Sequence, residues 1–586
     1  MNFNTRKPTE QHLAGPLPAW IAGGVLLLAL CLALFAGSPR EAQAATSRPN
    51  FIIIQTDDQP IEQFNGSWID PDYRQRRIMP NAQRLIRKEG IEFRSYVTPF
   101  PLCSPSRASL LSGDYAHNSG VVRNNGPRGG WEGYRNSQVF TESLPVWLQR
   151  AGYRTAHFGK FLNMYGGADL PEETTVPPGW DRWVTDNTDN STRAFYGYSQ
   201  NVDGTSTGPI GNPLYGPDAG RDPFGCPWLA PGQCIYHSDS VSLRAVDEIR
   251  NADRPFFIQI DYHTPHGDSR PPIGPEPAPR HLDTGYNTLR PNPPGFDEPD
   301  TFDKPTHIQA LPRLSPSEKW QIRQENQKSV EALQSVDEAI GWIFDALEDT
   351  RQLRNTYVIF TSDNGFFLGQ HRVSRGKLLP YEAALGVPMA IRGPGIRRSS
   401  TSRELVANQD IAPTILDLAG ASAGTAVDGR SMVPFWREPN RLSRRAILIS
   451  SYLASDSIPP EDPNGLVTGP DSEVPAPTGS AASRDASRGA RASASPIPPD
   501  YVGVRVGPYK YVEYETGERE LYDLSRDPAE LYNRAGLPAW SEVQVYLDFV
   551  LQSMRGCVAA QCRAIQEPWP PAPRSKAKSG RKPNGR

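Results

Sequence analysis

Three short runs of β-branched and aromatic residues each stop abruptly at charged or hydrogen-bonding residues, and no other feature constrains the fold as much. Phe51-Ile52-Ile53-Ile54 leads into Asp57-Asp58, Phe256-Phe257-Ile258-Gln259-Ile260 leads into His263 and His266, and Tyr357-Val358-Ile359-Phe360 leads into Asp363-Asn364. A short run that is apolar at odd and even positions alike fits a strand buried on both faces. Between the second and third runs, Val330, Leu333, Val336, Ile340, Ile343 and Leu347 recur at helical spacing, which predicts a helix over about 329–347. Strands alternating with helices imply a largely parallel sheet covered on both faces, an α/β fold. Ligands of such sheets bind beyond the carboxyl ends of the strands, so three clusters far apart in sequence can converge there.

The length of 586 residues exceeds one small core and suits a large α/β domain with a smaller companion. Proline, at 59 residues, is about twice its usual share, which describes a folded chain with many ordered loops. A net charge of −3 from 62 basic and 65 acidic residues gives no electrostatic reason to expect nucleic acid as a partner. We expect a catalytic domain over 45–440 and a C-terminal subdomain over 441–570. Within the latter, about 454–499 is Ser, Pro, Ala, Gly and Asp with almost no large apolar residues, which predicts a disordered insertion. After it, Tyr501–Val506 and Tyr509–Tyr514 flank Gly507-Pro508 as a hairpin, with Glu520–Leu524 as a third antiparallel strand. Residues 571–586 form a basic, proline-rich tail that is expected to be disordered.

Residues 1–44 have the organisation of an export signal: Arg6 and Lys7, an apolar core from Ile21 to Phe35, and Ala42-Gln43-Ala44 as a small-residue cleavage site. The expected location is therefore secreted or periplasmic. The alternative is an uncleaved membrane anchor, since the apolar stretch is near the lower limit of a span. Of six cysteines, Cys31 lies in this segment. With Cys103 set aside for chemistry, the rest form two sequence-local pairs, and in an exported protein we expect disulfides 226–234 and 557–562. Zinc would need a clustered four-ligand set, and neither pair has histidines at finger spacing.

The segment Leu102-Cys103-Ser104-Pro105-Ser106-Arg107-Ala108-Ser109-Leu110-Leu111-Ser112-Gly113 contains C-x-P-S-R followed by a helix opening and Ser-Gly. It resembles the type I, formylglycine-dependent sulfatases, in which that pattern directs oxidation of the cysteine. The resemblance extends through Gly159-Lys160-Phe161-Leu162-Asn163, Thr361-Ser362-Asp363-Asn364-Gly365, Arg392-Gly393-Pro394-Gly395 and Glu520-Leu521-Tyr522-Asp523-Leu524. The G-K-F-L-N segment and Val406-Ala407-Asn408-Gln409-Asp410 place it nearest the N-acetylglucosamine-6-sulfatase and extracellular heparan-sulfatase branch. The resemblance implies an alkaline-phosphatase-like fold, a sulfated small-molecule or glycan substrate, and a formylglycine-generating enzyme as partner during maturation.

It also implies roles for residues. The hydrated aldehyde made from Cys103 presents two hydroxyls on one carbon: one attacks sulfur, and the other later loses its proton to expel sulfate. Arg107 fixes that group near a helix N-terminus that favours anions. Asp57, Asp58, Asp363 and Asn364, with an oxygen from residue 103, form an all-oxygen set suited to Ca²⁺, with Mg²⁺ as the second choice. Lys160 and Lys377 are sulfate clamps. His266 contacts sulfate and protonates the leaving oxygen, a role imidazole suits near neutral pH. His263 is either a substrate contact or a packed histidine. Many members of the family carry a histidine two or three residues after the first lysine, where this chain has Leu162 and Asn163. The base that activates the hydrate is thus open, with His117 and Asn163 as weak candidates. Two other functions share these residues: a phosphonate monoester hydrolase or phosphodiesterase of the same superfamily, and a sulfated-glycan-binding protein without turnover.

Overall fold

The computed structural model describes residues 48–564 except 70–73, 167–173, 188–194, 197, 211–235, 268–273, 283–292, 444 and 453–498. The export segment, the 226–234 pair, the insertion and the basic tail lie outside the described residues. In chain order the strands are β1 (Asn50–Thr56), β2 (Ser67–Ile69), β3 (Gln75–Arg77), β4 (Ile91–Val97), β5 (Arg154–Gly159), β6 (Arg182–Asp186), β7 (Tyr198–Val202) and β8 (Thr205–Ile210). They continue with β9 (Phe256–Asp261), β10 (Thr356–Ser362), β11 (Met389–Arg392), β12 (Ser400–Ala407), β13 (Ala446–Ser451), β14 (Tyr501–Val506), β15 (Tyr509–Tyr514) and β16 (Arg519–Asp523).

The large sheet has ten strands in the order β12-β4-β11-β10-β1-β9-β5-β6-β7-β8. The three apolar runs are its centre: β1 lies between β9 and β10, parallel to both, with Ile53 opposite Gln259 on one side and Ile359 on the other. Alternation along β1 divides the core. Phe51 and Ile53 join a cluster with Leu110, Leu111, Trp131 and Ile415, while Ile52 and Ile54 join one on the opposite face with Val241, Val330 and Ile340. The antiparallel pairings flank this centre: β11 runs against β10 and β4, and β7 runs against β6 and β8.

The helix expected over about 329–347 runs from Pro316 to Asp349. Its six apolar positions are all buried against the sheet. The earlier start follows from a capping box: Ser315 Oγ accepts the Glu318 N–H at 3.2 Å, and the Glu318 carboxylate accepts the Ser315 N–H at 2.7 Å, with Pro316 at the first helical position. These opening turns are mostly polar, so hydrophobic periodicity does not reveal them.

A second sheet, β13-β14-β15-β16, is antiparallel throughout. The three expected strands are joined by a fourth, β13, which pairs with β14 although the two are separated by the insertion. One face packs on the helix Ser541–Met554 through Val543, Leu547, Val550 and Leu551, and the same cluster includes Val97, Leu405 and Ala407 of the large sheet. Cys557 and Cys562 form a disulfide, as expected. Among the described residues no helix is long and apolar enough to cross a membrane.

Candidate active site

Four adjacent strands deliver their polar residues to one place. β1 ends at Asp57 and Asp58, β10 at Asp363 and Asn364, β9 at Asp261 followed by His263 and His266, and β5 at Lys160. Backbone bonds tie these ends together: Asp363 N–H donates to Thr56 O (3.0 Å), Lys160 N–H to Asp261 O (2.8 Å) and Asp57 N–H to Thr264 O (3.2 Å). Gly159, at φ +101, lets β5 pass close to β9, since a Cβ there would lie 2.0 Å from the Asp261 carbonyl oxygen. After β4 the chain enters the helix Cys103–Ser112, closed by Gly113 in the left-handed region at φ 77.

Cys103 is the first residue of that helix and is fully buried. Lys377 Nζ lies 3.0 Å from its Sγ, and Asp57 Oδ1 lies 3.7 Å away. Burial first, then the Asp57 charge, push the thiol up from its ordinary range, so an unmodified Cys103 is a neutral thiol and a poor nucleophile. Arg107, 1% exposed, spreads its fork over three partners: Nε donates to Asp363 Oδ2 (3.0 Å), Nη1 to the Lys160 carbonyl (2.8 Å) and Nη2 to Asp57 Oδ2 (3.1 Å). Lys160 Nζ is 2.6 Å from the same Asp57 oxygen. Lys377 Nζ donates to Asp58 Oδ1 at 2.5 Å. Burial alone would raise Asp57, but Lys160, His266, Arg107 and Lys377 outweigh it and hold its carboxyl well below the usual range. Asp363 goes the other way: burial and the neighbouring Asp57 raise it to about 6 against the pull of Arg107 and Lys377.

Carboxylate oxygens of Asp57, Asp58 and Asp363 lie within 4.8 Å of one another. Asn364 Oδ1 is buried beside them with no hydrogen-bond partner. The buried acids Asp57, Asp58, Asp261 and Asp363 face the cations Arg107, Lys160 and Lys377, with His266 beside them. An orphaned amide oxygen among three clustered carboxylates fits a hard divalent cation.

His266 Nδ1–H donates to the Gly267 carbonyl at 2.7 Å, which leaves Nε2 facing Asp58 Oδ2 at 3.7 Å. The ring borders a narrow cavity also lined by Asp58, Glu325, Phe366 and Leu368. His263 packs its ring on Phe195 (5.6 Å) and His266 (4.8 Å). Burial, then the charges of Lys160 and His266, hold it well below the ordinary imidazole range, so it is neutral.

The cluster thus gathers Asp57, Asp58, Cys103, Arg107, Lys160, His266, Asp363, Asn364 and Lys377, with His263 at its margin. The two weak candidates for the base are engaged elsewhere. Asn163 Oδ1 accepts from Ser104 Oγ (2.7 Å), which braces the helix start. His117 stacks on Tyr115 and its Nε2 meets the carbonyl of Cys557 at 3.0 Å, in the disulfide loop. Sequence reasoning missed His157 and Asp261. His157 Nε2 lies 3.1 Å from Asp261 Oδ2, its Nδ1 is 2.6 Å from Thr185 Oγ1, and Asp261 in turn lies 3.5 Å from Arg107. This buried chain orients Arg107 from behind. It also missed Asn408, whose Nδ2 donates to the Ser106 carbonyl at 2.9 Å; its only sequence signal was membership of the V-A-N-Q-D run.

Similarity to known proteins identifies the family. The family model "Sulfatase" matches residues 49–421. Human N-acetylglucosamine-6-sulfatase is 31% identical over 455 residues, covering 76% of this chain and 73% of the human protein. An extracellular sulfatase SULF-1 homolog of Drosophila melanogaster is 32% identical over 72% of this chain, but the match spans only 36% of the fly protein. A putative counterpart from Caenorhabditis elegans is matched over 49% of its length. Among solved structures, one described as a complex with its substrate D-glucosamine-2-N,6-O-disulfate superimposes with a TM-score of 0.64 at 23% identity, covering 88% of this chain and 98% of its own. The phosphonate monoester hydrolase of Agrobacterium radiobacter gives 0.57 at 21% identity, covering 87% of this chain and 96% of its own. These two likenesses concern the fold. The family match covers more than half of the chain and carries the conclusion that this chain is a member of the sulfatase family.

Proposed function

We propose that this chain is an exported hydrolase of sulfuric esters, with a sulfated carbohydrate such as N-acetylglucosamine 6-sulfate as substrate. The observation that carries the reading is the position of Cys103: the buried first residue of a helix, 3.0 Å from Lys377 Nζ and beside a carboxylate cluster. Conversion of Cys103 to formylglycine by a formylglycine-generating enzyme replaces an inert thiol with the nucleophilic oxygen the reaction needs. A divalent cation held by Asp57, Asp58, Asp363 and Asn364, Ca²⁺ before Mg²⁺, would neutralise charge on the sulfuryl oxygens and on that nucleophile.

The chain's own groups do the rest. Arg107 fixes Asp57 and Asp363 from behind through its rigid fork. Lys377 lies between Asp58 and residue 103, where its ammonium meets a sulfuryl oxygen, and Lys160 holds the other side at Asp57. His266 in its protonated form, with Nδ1–H held by the Gly267 carbonyl, gives its Nε2 proton to the leaving oxygen. These side chains are almost fully buried, so water is largely excluded from the reacting groups and each charge acts at more than its aqueous strength.

Side-by-side kinetics on sulfate and phosphate monoesters test the assignment. The sulfate ester is expected to be the better substrate by kcat/KM; a preference for the phosphorus ester would instead support the phosphonate monoester hydrolase reading. Chelation is expected to abolish turnover and Ca²⁺ to restore it. Asp363→Ala should lower Ca²⁺ affinity, measured by calorimetry, by more than the roughly 10–100-fold that loss of an outer-shell partner costs. Unchanged Ca²⁺ affinity would remove Asp363 from the ligand set.

A further inference from the structure

We propose that Tyr501, in the C-terminal sheet, is a positioning residue of the active site: its hydroxyl holds the strained backbone beside Lys377 and so fixes that ammonium against residue 103. The inference rests on the sulfuric ester reading of the same site. Lys377 belongs to the irregular segment 365–381, which departs repeatedly from ordinary backbone geometry: φ is 52° at His371, 65° at Arg372, 117° at Gly376 and 77° at Leu378. Only Gly376 tolerates such an angle freely. A leucine in the left-handed region costs on the order of 1–3 kcal/mol and persists only where its surroundings over-determine it.

Two contacts supply that determination, and both lead to the site. The side chain of Leu378 packs on a cluster of Phe100, Leu102, Ala116 and Val122, in which Leu102 immediately precedes Cys103. The carbonyl of Leu378 accepts a hydrogen bond from Tyr501 Oη at 2.7 Å. Tyr501 is well suited to hold a fixed point. It is the first residue of β14, is 2% exposed, is paired with Ser451 and Tyr514 across the sheet, and sits in a cluster with Leu385, Ile449 and Val512. The same sheet and the loop that follows it also secure the end of the segment, where Tyr381 Oη donates to Glu520 of β16 at 2.8 Å and the next residue, Glu382, donates its N–H to Glu530 of the loop at 2.7 Å.

Lys377 makes its contacts with Asp58 and Cys103 at 2.5 and 3.0 Å, distances with no slack. A displacement of about 1 Å at a reacting centre can cost on the order of 100-fold in rate. The Tyr501 hydroxyl therefore acts on turnover through Lys377 and not by touching substrate.

The test is a double-mutant cycle on the full chain: parent, Tyr501→Phe, Lys377→Ala and the double variant, compared by kcat/KM on a sulfate ester, with folding checked by thermal unfolding. Tyr501→Phe keeps the ring and its packing. It is expected to lower kcat/KM by about 10- to 100-fold in the parent and by less than about twofold once Lys377 is absent, because coupled groups are non-additive. Equal loss in both backgrounds would show a general structural role and overturn the proposal, as would no loss in the parent. If the parent prefers a phosphate monoester, the sulfuric ester reading fails on its own, and the same cycle run on that ester still decides the role of Tyr501.

Discussion

Replacing Arg107 with methionine is expected to destabilise the protein by about 3–5 kcal/mol, the usual cost of breaking a buried ion pair from one side. The guanidinium is 1% exposed and faces Asp57, Asp261 and Asp363 at 3.1, 3.5 and 2.9 Å. Methionine fills much of the volume, so the loss is electrostatic and not a cavity. Removing the cation leaves the buried carboxylates with one positive charge fewer, which a divalent cation at the site would partly compensate. The destabilisation should therefore be larger in chelator than in saturating Ca²⁺, since the variant, short of one cation, is expected to hold Ca²⁺ more tightly, and a ligand bound only by the folded state adds stability according to its affinity. Denaturant midpoints of parent and variant in the two conditions check this. A shift below about 1 kcal/mol in chelator would mean the three carboxylates do not depend on Arg107.

His266→Ala should separate two kinds of substrate. A sugar hydroxyl leaves as a very basic alkoxide and needs a proton during S–O cleavage, whereas a nitrophenol leaves readily as its anion. On a 6-sulfated hexosamine the variant is expected to lose roughly 10²–10⁴ in kcat, the worth of a positioned general acid. On nitrophenyl sulfate the loss should be much smaller. The geometry supports the assignment, because Nδ1 is committed to Gly267 and Nε2 points toward Asp58 at the cavity wall. Equal losses on both substrates would make His266 a sulfate-binding residue only.

The centre of the sheet was legible because β1, β9 and β10 are buried on both faces, and a strand of that kind reads as a near-continuous apolar run. The proposed metal ligands were legible because Asp57, Asp58, Asp363 and Asn364 immediately follow such strands. What stayed hidden depends on register and on distant partners. His157 lies within β5 opposite Gln259, and its diagonal contact with Asp261 exists only because β5 and β9 align in that register. Strand β13 was masked by the insertion that separates it from β14. The polar opening of the helix at Pro316 carries a cap in place of a periodicity. The suggestion of His117 as a base came from residue type alone, and the fold commits that ring to Tyr115 and the Cys557 carbonyl. Lys377 was visible through its motif, while the strain at Leu378 and the Tyr501 hydroxyl that holds it are properties of the folded backbone.

The most direct measurement is mass spectrometry of the peptide spanning Cys103, taken from an active preparation and read alongside sulfate release. An aldehyde is expected at residue 103 in proportion to activity, with no turnover in Cys103→Ala although that variant folds. Full activity from protein in which residue 103 is entirely a free thiol would contradict it.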